Sequence, residues 1–76
     1  MAFMRMPKLS ESGGDAVVSE WMVAAGDVVR MDAPVVAMET DKIVVEVPST
    51  VDGKVRRLLV AEGEVVRAGQ PILEVD

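Results

Sequence analysis

Short apolar runs, interrupted by turn residues every few positions, set the pattern of this 76-residue chain. Ile43-Val44-Val45-Glu46-Val47 is a strong strand signal and ends at Pro48. Val35 to Glu39 predicts a second strand just before it. Ala25-Gly26-Asp27 and Glu62-Gly63-Glu64 read as turns, with glycine supplying a positive φ at little steric cost. Gly13-Gly14-Asp15 and Asp52-Gly53 read as further turns. Pro34 and Pro71 precede apolar runs, and a strand start is a tolerated place for proline. No segment free of Gly and Pro carries a 3.6-residue apolar stripe. Short strands with frequent turns predict an all-β sandwich or flattened barrel.

The pattern repeats. Residues 18–39 align with 55–76 without a gap, and eight of the 22 pairs are identical. They are Val18/Val55, Val23/Val60, Ala24/Ala61, Gly26/Gly63, Val28/Val65, Val29/Val66, Arg30/Arg67 and Pro34/Pro71. Solenoids need three or more copies. Two copies predict a pseudosymmetric domain over residues 1–76 in which each half closes the other's core. If Pro7 and Pro48 correspond, the first copy carries a four-residue insertion within Lys8 to Asp15. That polar, glycine-rich stretch fits either a tolerated surface loop or a partner-recognition loop. The centre of the duplication is Thr40-Asp41-Lys42, between the two predicted strands. Asp41 and Lys42 therefore fall at a hairpin tip. The matching turn of the second copy would fall past Asp76, so the termini are expected together, at the opposite end from Lys42.

Composition narrows the chemistry. Phe3 and Trp21 are the only aromatic residues and sixteen residues are valine, so the core must be aliphatic and strand-favouring. Trp21 reads as a core residue, because its repeat partner is Leu58; Met22 pairs likewise with Leu59. With neither Cys nor His, the usual zinc sites, the commonest general base and the Ser-His and Cys-His pairs are all missing. Autonomous catalysis is therefore not expected. A net charge of −5 disfavours nucleic acid and anionic membrane. No apolar run approaches a membrane span, and Met1 to Pro7 lacks the apolar stretch of a signal peptide.

There are three lysines. Lys8 lies in the polar loop, and Lys54 follows a turn. Lys42 alone sits between two strong strands at the symmetry centre. Most lysines are plain surface charges, so position by itself is weak evidence. The run Met38-Glu39-Thr40-Asp41-Lys42-Ile43-Val44-Val45-Glu46-Val47-Pro48 resembles the lipoyl-attachment hairpin of the 2-oxo acid dehydrogenase complexes. Pro7-Lys8-Leu9-Ser10-Glu11-Ser12 looks like that family's first strand and loop. Trp21 with Ala25-Gly26-Asp27, and Val51-Asp52-Gly53-Lys54-Val55, also fit it.

The resemblance implies a flattened barrel of two four-stranded antiparallel sheets, with lipoic acid joined to Lys42 through an amide. It implies a monomeric carrier domain from a dihydrolipoamide acyltransferase. The arm would be loaded by a lipoate ligase and acylated by a thiamine-diphosphate-dependent decarboxylase. It would be relieved of its acyl group by the acyltransferase core and reoxidised by a dihydrolipoyl dehydrogenase. Such a parent would reside in the bacterial cytoplasm or the mitochondrial matrix. Glu39 and Asp41 fit either ordinary turn chemistry or recognition by the ligase and decarboxylase. Glu39-Thr40-Asp41-Lys42 and Glu46-Val47-Pro48, with Leu9-Ser10-Glu11-Ser12, lean towards the succinyl-transferring component of 2-oxoglutarate dehydrogenase, whereas Met6-Pro7-Lys8-Leu9-Ser10 also looks like pyruvate or acetoin complexes. Biotin carriers share the fold but place methionine on both sides of their lysine, where this chain has Asp41 and Ile43. A cofactor-free β interaction module is the rival of a different kind, and it expects Lys42 to be replaceable without consequence.

Overall fold

The structure is a computed structural model that describes residues 2–9 and 15–76. Eight strands follow one another: β1 (Ala2–Arg5), β2 (Ala16–Trp21), β3 (Val28–Val29), β4 (Pro34–Glu39), β5 (Val44–Pro48), β6 (Gly53–Leu58), β7 (Val65–Val66) and β8 (Pro71–Val75). They form two antiparallel four-stranded sheets, ordered β1-β8-β6-β3 and β5-β4-β2-β7. Pro34 and Pro71 open β4 and β8, as the sequence pattern predicts.

The duplication becomes a two-fold in the hydrogen bonds. Gly26 N donates to Val55 O at 2.8 Å, and Gly63 N donates to Val18 O at 2.8 Å. Val55 N donates to Asp27 O, and Val18 N to Glu64 O. Met22 N donates to Val35 O and Leu59 N to Ile72 O, both at 2.9 Å. In each case exchanging the two copies turns one bond into the other. The strands exchange in the same way: β2 with β6, β3 with β7, β4 with β8. β1 then takes beside β8 the place that β5 takes beside β4. Backbone conformation follows suit. Gly26 and Gly63 have φ of 97° and 92°, while Asp32 and its mate Gly69 have 74° and 88°. A left-handed Asp costs on the order of 1 kcal/mol, which a glycine there avoids.

Two details of the sequence reading need correction. The first strand precedes Pro7, ending at Arg5, and Pro7 does not correspond to Pro48. Arg5 pairs with Pro71 as Pro48 pairs with Pro34. Met6 N donates to Gln70 O and accepts from Gly69 N at its carbonyl; Ser49 makes the mated pair of bonds with Ala33 and Asp32. Arg5 is thus the mate of Pro48, and Met6 that of Ser49. The first copy is longer by six residues rather than four. Prolines misled the alignment because pairing is set by backbone hydrogen bonds, and an edge-strand position accepts proline or arginine equally well.

The core lies between the sheets and is aliphatic. Met4, Val18, Val35, Val36, Met38, Val47, Val55, Val66, Ile72, Leu73 and Val75 are its fully enclosed residues. Trp21 and Leu58 pack against its margin, half-buried. The Trp21 indole N–H donates to Val60 O at 2.9 Å, which satisfies its polar end. Met22 is exposed.

Candidate functional site

β4 and β5 run antiparallel as far as the Glu39–Val44 pair. Thr40 N then donates to Ile43 O at 2.8 Å, leaving Asp41 and Lys42 as a two-residue tip. Such tips usually use turns with positive φ. Here neither residue has one, since Asp32 is the only non-glycine residue with positive φ among those described. The Thr40 side chain closes the turn instead. Its hydroxyl donates to Ile43 O at 3.0 Å and accepts from Ile43 N at 3.2 Å and Lys42 N at 3.4 Å. A threonine hydroxyl has one donor and two acceptor sites, and this one uses all three. The sequence reading missed that role. Threonine two or three residues ahead of the N–H groups it binds was the available signal.

Lys42, Asp41 and Ile43 are exposed. Among the described residues, no carboxylate lies within ion-pair distance of Lys42. The root of the side chain is therefore held by a rigid tip while its amine is free in solvent. That arrangement suits a primary amine presented to another protein's active site, and it fits covalent extension through an amide. Of the other lysines, Lys54 lies within β6 opposite Val28, and Lys8 is exposed between β1 and β2. Among the described residues, neither stands at the tip of a hairpin.

The chain ends are far from this tip. Ala2 pairs with Val75, and Asp76 N donates to Lys54 O at 3.0 Å. Gly53 and Lys54 open β6, with only four residues between β6 and the open root of the β4–β5 hairpin at Pro34 and Pro48. Six residues of β4 separate that root from the tip, roughly 17 Å at the usual strand rise.

Glu39 and Asp41 are exposed beside Lys42 and have no ion-pair partner among the described residues. Of the suggested recognition loop, Ser10 to Gly14 lie outside the described residues. Lys8 and Asp15 are exposed at its two ends; Leu9 packs on the core, and Asp15 faces Arg67 at 3.6 Å.

A family model described as Biotin-requiring enzyme, for biotin- and lipoyl-carrying proteins, matches residues 2–75. The chain belongs to this biotin and lipoyl carrier family. Within the family it sides with the lipoyl domains. Its fold matches the solution structure of the lipoyl domain of the 2-oxoglutarate dehydrogenase complex from Azotobacter vinelandii. That match has a TM-score of 0.73 and 32% identity, covering 99% of this chain and 96% of the other. The succinyltransferase component of the 2-oxoglutarate dehydrogenase complex of Bartonella vinsonii is 44% identical over 83% of this chain. The lipoamide acyltransferase component of the branched-chain complex of Bacillus subtilis is 37% identical over 96%. The acetyltransferase component of the pyruvate complex of Staphylococcus aureus is 38% identical over 100%. The match spans only 15% to 18% of the length of these relatives. All-β architecture, two four-stranded sheets and membership among the lipoyl domains of acyltransferase components thus agree with the sequence reading.

Proposed function

We propose that Lys42 carries lipoic acid and that the domain is the mobile carrier of a dihydrolipoamide acyltransferase. The observation that supports this best is the Thr40-locked tip, which presents Lys42 as an exposed, unpaired amine in a lipoyl-domain fold. A lipoate ligase would join the Lys42 Nζ to the lipoyl carboxyl as an amide, removing the positive charge at the tip. The dithiolane of the attached group supplies acyl acceptance and two-electron redox chemistry. The chain's own part is to hold the root of the arm rigid and to display it. Partner sites for the arm are the thiamine-diphosphate-dependent decarboxylase, the acyltransferase core and the dihydrolipoyl dehydrogenase. Tethering raises the effective concentration of the arm at each of them. Such a parent works in the bacterial cytoplasm or the mitochondrial matrix.

The 2-oxoglutarate complex is the reading we favour for the parent. Two succinyltransferase relatives reach 44% and 45% identity over 83% and 86% of the chain, against 37% and 38% over 96% and 100% for the branched-chain and pyruvate components, and the solved lipoyl domain that the fold matches is from a 2-oxoglutarate complex. Reductive acylation of the lipoylated domain by decarboxylases of the three complexes tests both levels. Acylation by the 2-oxoglutarate enzyme with the highest kcat/KM, and none in Lys42→Arg, is expected. Preference for another decarboxylase moves the parent to that complex. Undiminished acylation of Lys42→Arg removes the carrier reading itself.

A further inference from the structure

One row of outward-facing side chains crosses the hairpin-bearing sheet beside Lys42. Directly opposed residues share a face. The register sets Val44 of β5, Glu39 of β4, Val17 of β2 and Val65 of β7 side by side. Their strand neighbours Val18, Met38 and Val66 are buried in the core, so the row points away from it. Val44 and Val65 stand 57% and 58% exposed, and Val17, half-buried, lies between their strands. The mated row on the other sheet is built differently. It holds Asp76, Lys54 and Val28, so Lys54 stands where the hairpin sheet has Val17. A lysine there breaks the apolar line, and a valine continues it. The chain thus keeps three aliphatic side chains in one outward row on the sheet that bears Lys42, and only one in the mated row.

We propose that this row is a resting site for the lipoyl arm of the same chain, an inference that rests on Lys42 carrying lipoic acid. Val44 is two residues from the root of the arm. From the hairpin the row crosses β2 and ends on β7, two strand spacings beyond β4, or roughly 10 Å. A lysine side chain lengthened by lipoic acid outreaches that span. The attached group also suits the row chemically, because its methylenes and dithiolane are uncharged and apolar. Glu39, the charged member, has no ion-pair partner among the described residues to hold it in place, so it can swing clear. The tether is what selects this occupant. An attached group faces its own domain at an effective concentration on the order of millimolar, which populates a contact too weak to hold the free acid. Such a contact shields the dithiolane from solvent and releases it readily.

Methyl NMR of the domain before and after lipoylation, with loading checked by intact mass, tests it without any partner enzyme. Lipoylation is expected to shift the Val17 and Val65 methyls, to leave Val28 on the other face unmoved, and to give nuclear Overhauser contacts from the arm to Val65. A second readout is the rate at which a water-soluble phosphine reduces the dithiolane. Val17→Lys, which copies the other face, is expected to raise that rate at least twofold, whereas Val28→Lys leaves it unchanged. Unshifted core methyls such as Val55 show that each variant is folded. Shifts confined to residues 41–44, no contact to Val65, or equal reduction rates in wild type and Val17→Lys overturn the resting site alone. So do Val65 shifts that grow with protein concentration, since they place the arm on a second copy. A domain that lipoate ligase leaves unmodified at Lys42 overturns the carrier reading and the resting site with it.

Discussion

The two halves of this domain share a backbone plan and diverge wherever function enters. Both use the same reciprocal hydrogen bonds, the same left-handed turn positions and the same two-residue β3 and β7 strands. The hairpin after β4 is closed, whereas its mate after β8 is the place where the chain ends meet. Closing one copy and leaving the other open gives a single amine-bearing tip. It also puts a strand length between that tip and the residues through which a longer chain would continue. Symmetry therefore explains the core, and departures from symmetry locate the working parts.

The largest effects should fall equally on the two halves if that account of the core holds. Val18→Ala and Val55→Ala remove mated, fully buried side chains. Each should cost about 2–3 kcal/mol in chemical denaturation, and in the double variant the two costs should add within roughly 0.5 kcal/mol if the sites are independent. A much larger cost in one half would mean that its core folds around the other.

Gly53 is where the halves stop being interchangeable, for its mate is Ala16. Gly53 has a φ of 145°, and an added Cβ would lie 3.0 Å from Asp76 O and 3.3 Å from the Val75 Cβ. Gly53→Ala should cost about 2 kcal/mol through strain and crowding. Gly26→Ala, where a Cβ meets open space, should cost only about 1 kcal/mol for the left-handed φ. Equal costs at the two sites would remove the close approach of the C-terminus from the explanation.

Glu74 carries the next contrast. It is 2% exposed under the 66%-exposed Arg57, while its mate is Ala37. Arg57→Ala should cost about 1–2 kcal/mol, because it strips the main partner from a buried carboxylate but leaves Arg56 and solvent nearby. Glu20→Ala, at the mated position, should stay within about 0.5 kcal/mol. Glu74→Ala with Arg57→Ala, which removes both partners, should recover part of the single-site loss.

The smallest stability effect and the most local one belong to Thr40. Thr40→Val should cost about 1 kcal/mol or less, yet hydrogen exchange at the Lys42 and Ile43 amides should quicken and ligase turnover on the domain should fall. Thr40→Ser should preserve both. If Thr40→Val left the tip amides as protected as before, the hydroxyl would not be the lock.

Much of this was legible in the sequence, for identifiable reasons. Valine-rich runs ended by Gly and Pro marked most strands, and the repeat marked the pseudosymmetry and Lys42 at its centre. What escaped depended on three-dimensional pairing. The resemblance places the first strand at Pro7, and the repeat matches Pro7 to Pro48, while the backbone pairs Arg5 and Met6 in the places of Pro48 and Ser49. Glu74 lies within the run Ile72-Leu73-Glu74-Val75, where nothing in the sequence announces Arg57 above it. Thr40 was visible as part of a motif but not as the clasp of the turn.

Peptide-resolved mass spectrometry of the domain after incubation with lipoate ligase, lipoic acid and ATP tests the central claim most directly. One lipoyl group per chain is expected, wholly on the peptide bearing Lys42, with Lys8 and Lys54 unmodified and no addition to Lys42→Arg. A lipoyl group on Lys8 or Lys54, an adduct that survives Lys42→Arg, or a biotin adduct formed in preference by a biotin ligase would contradict it.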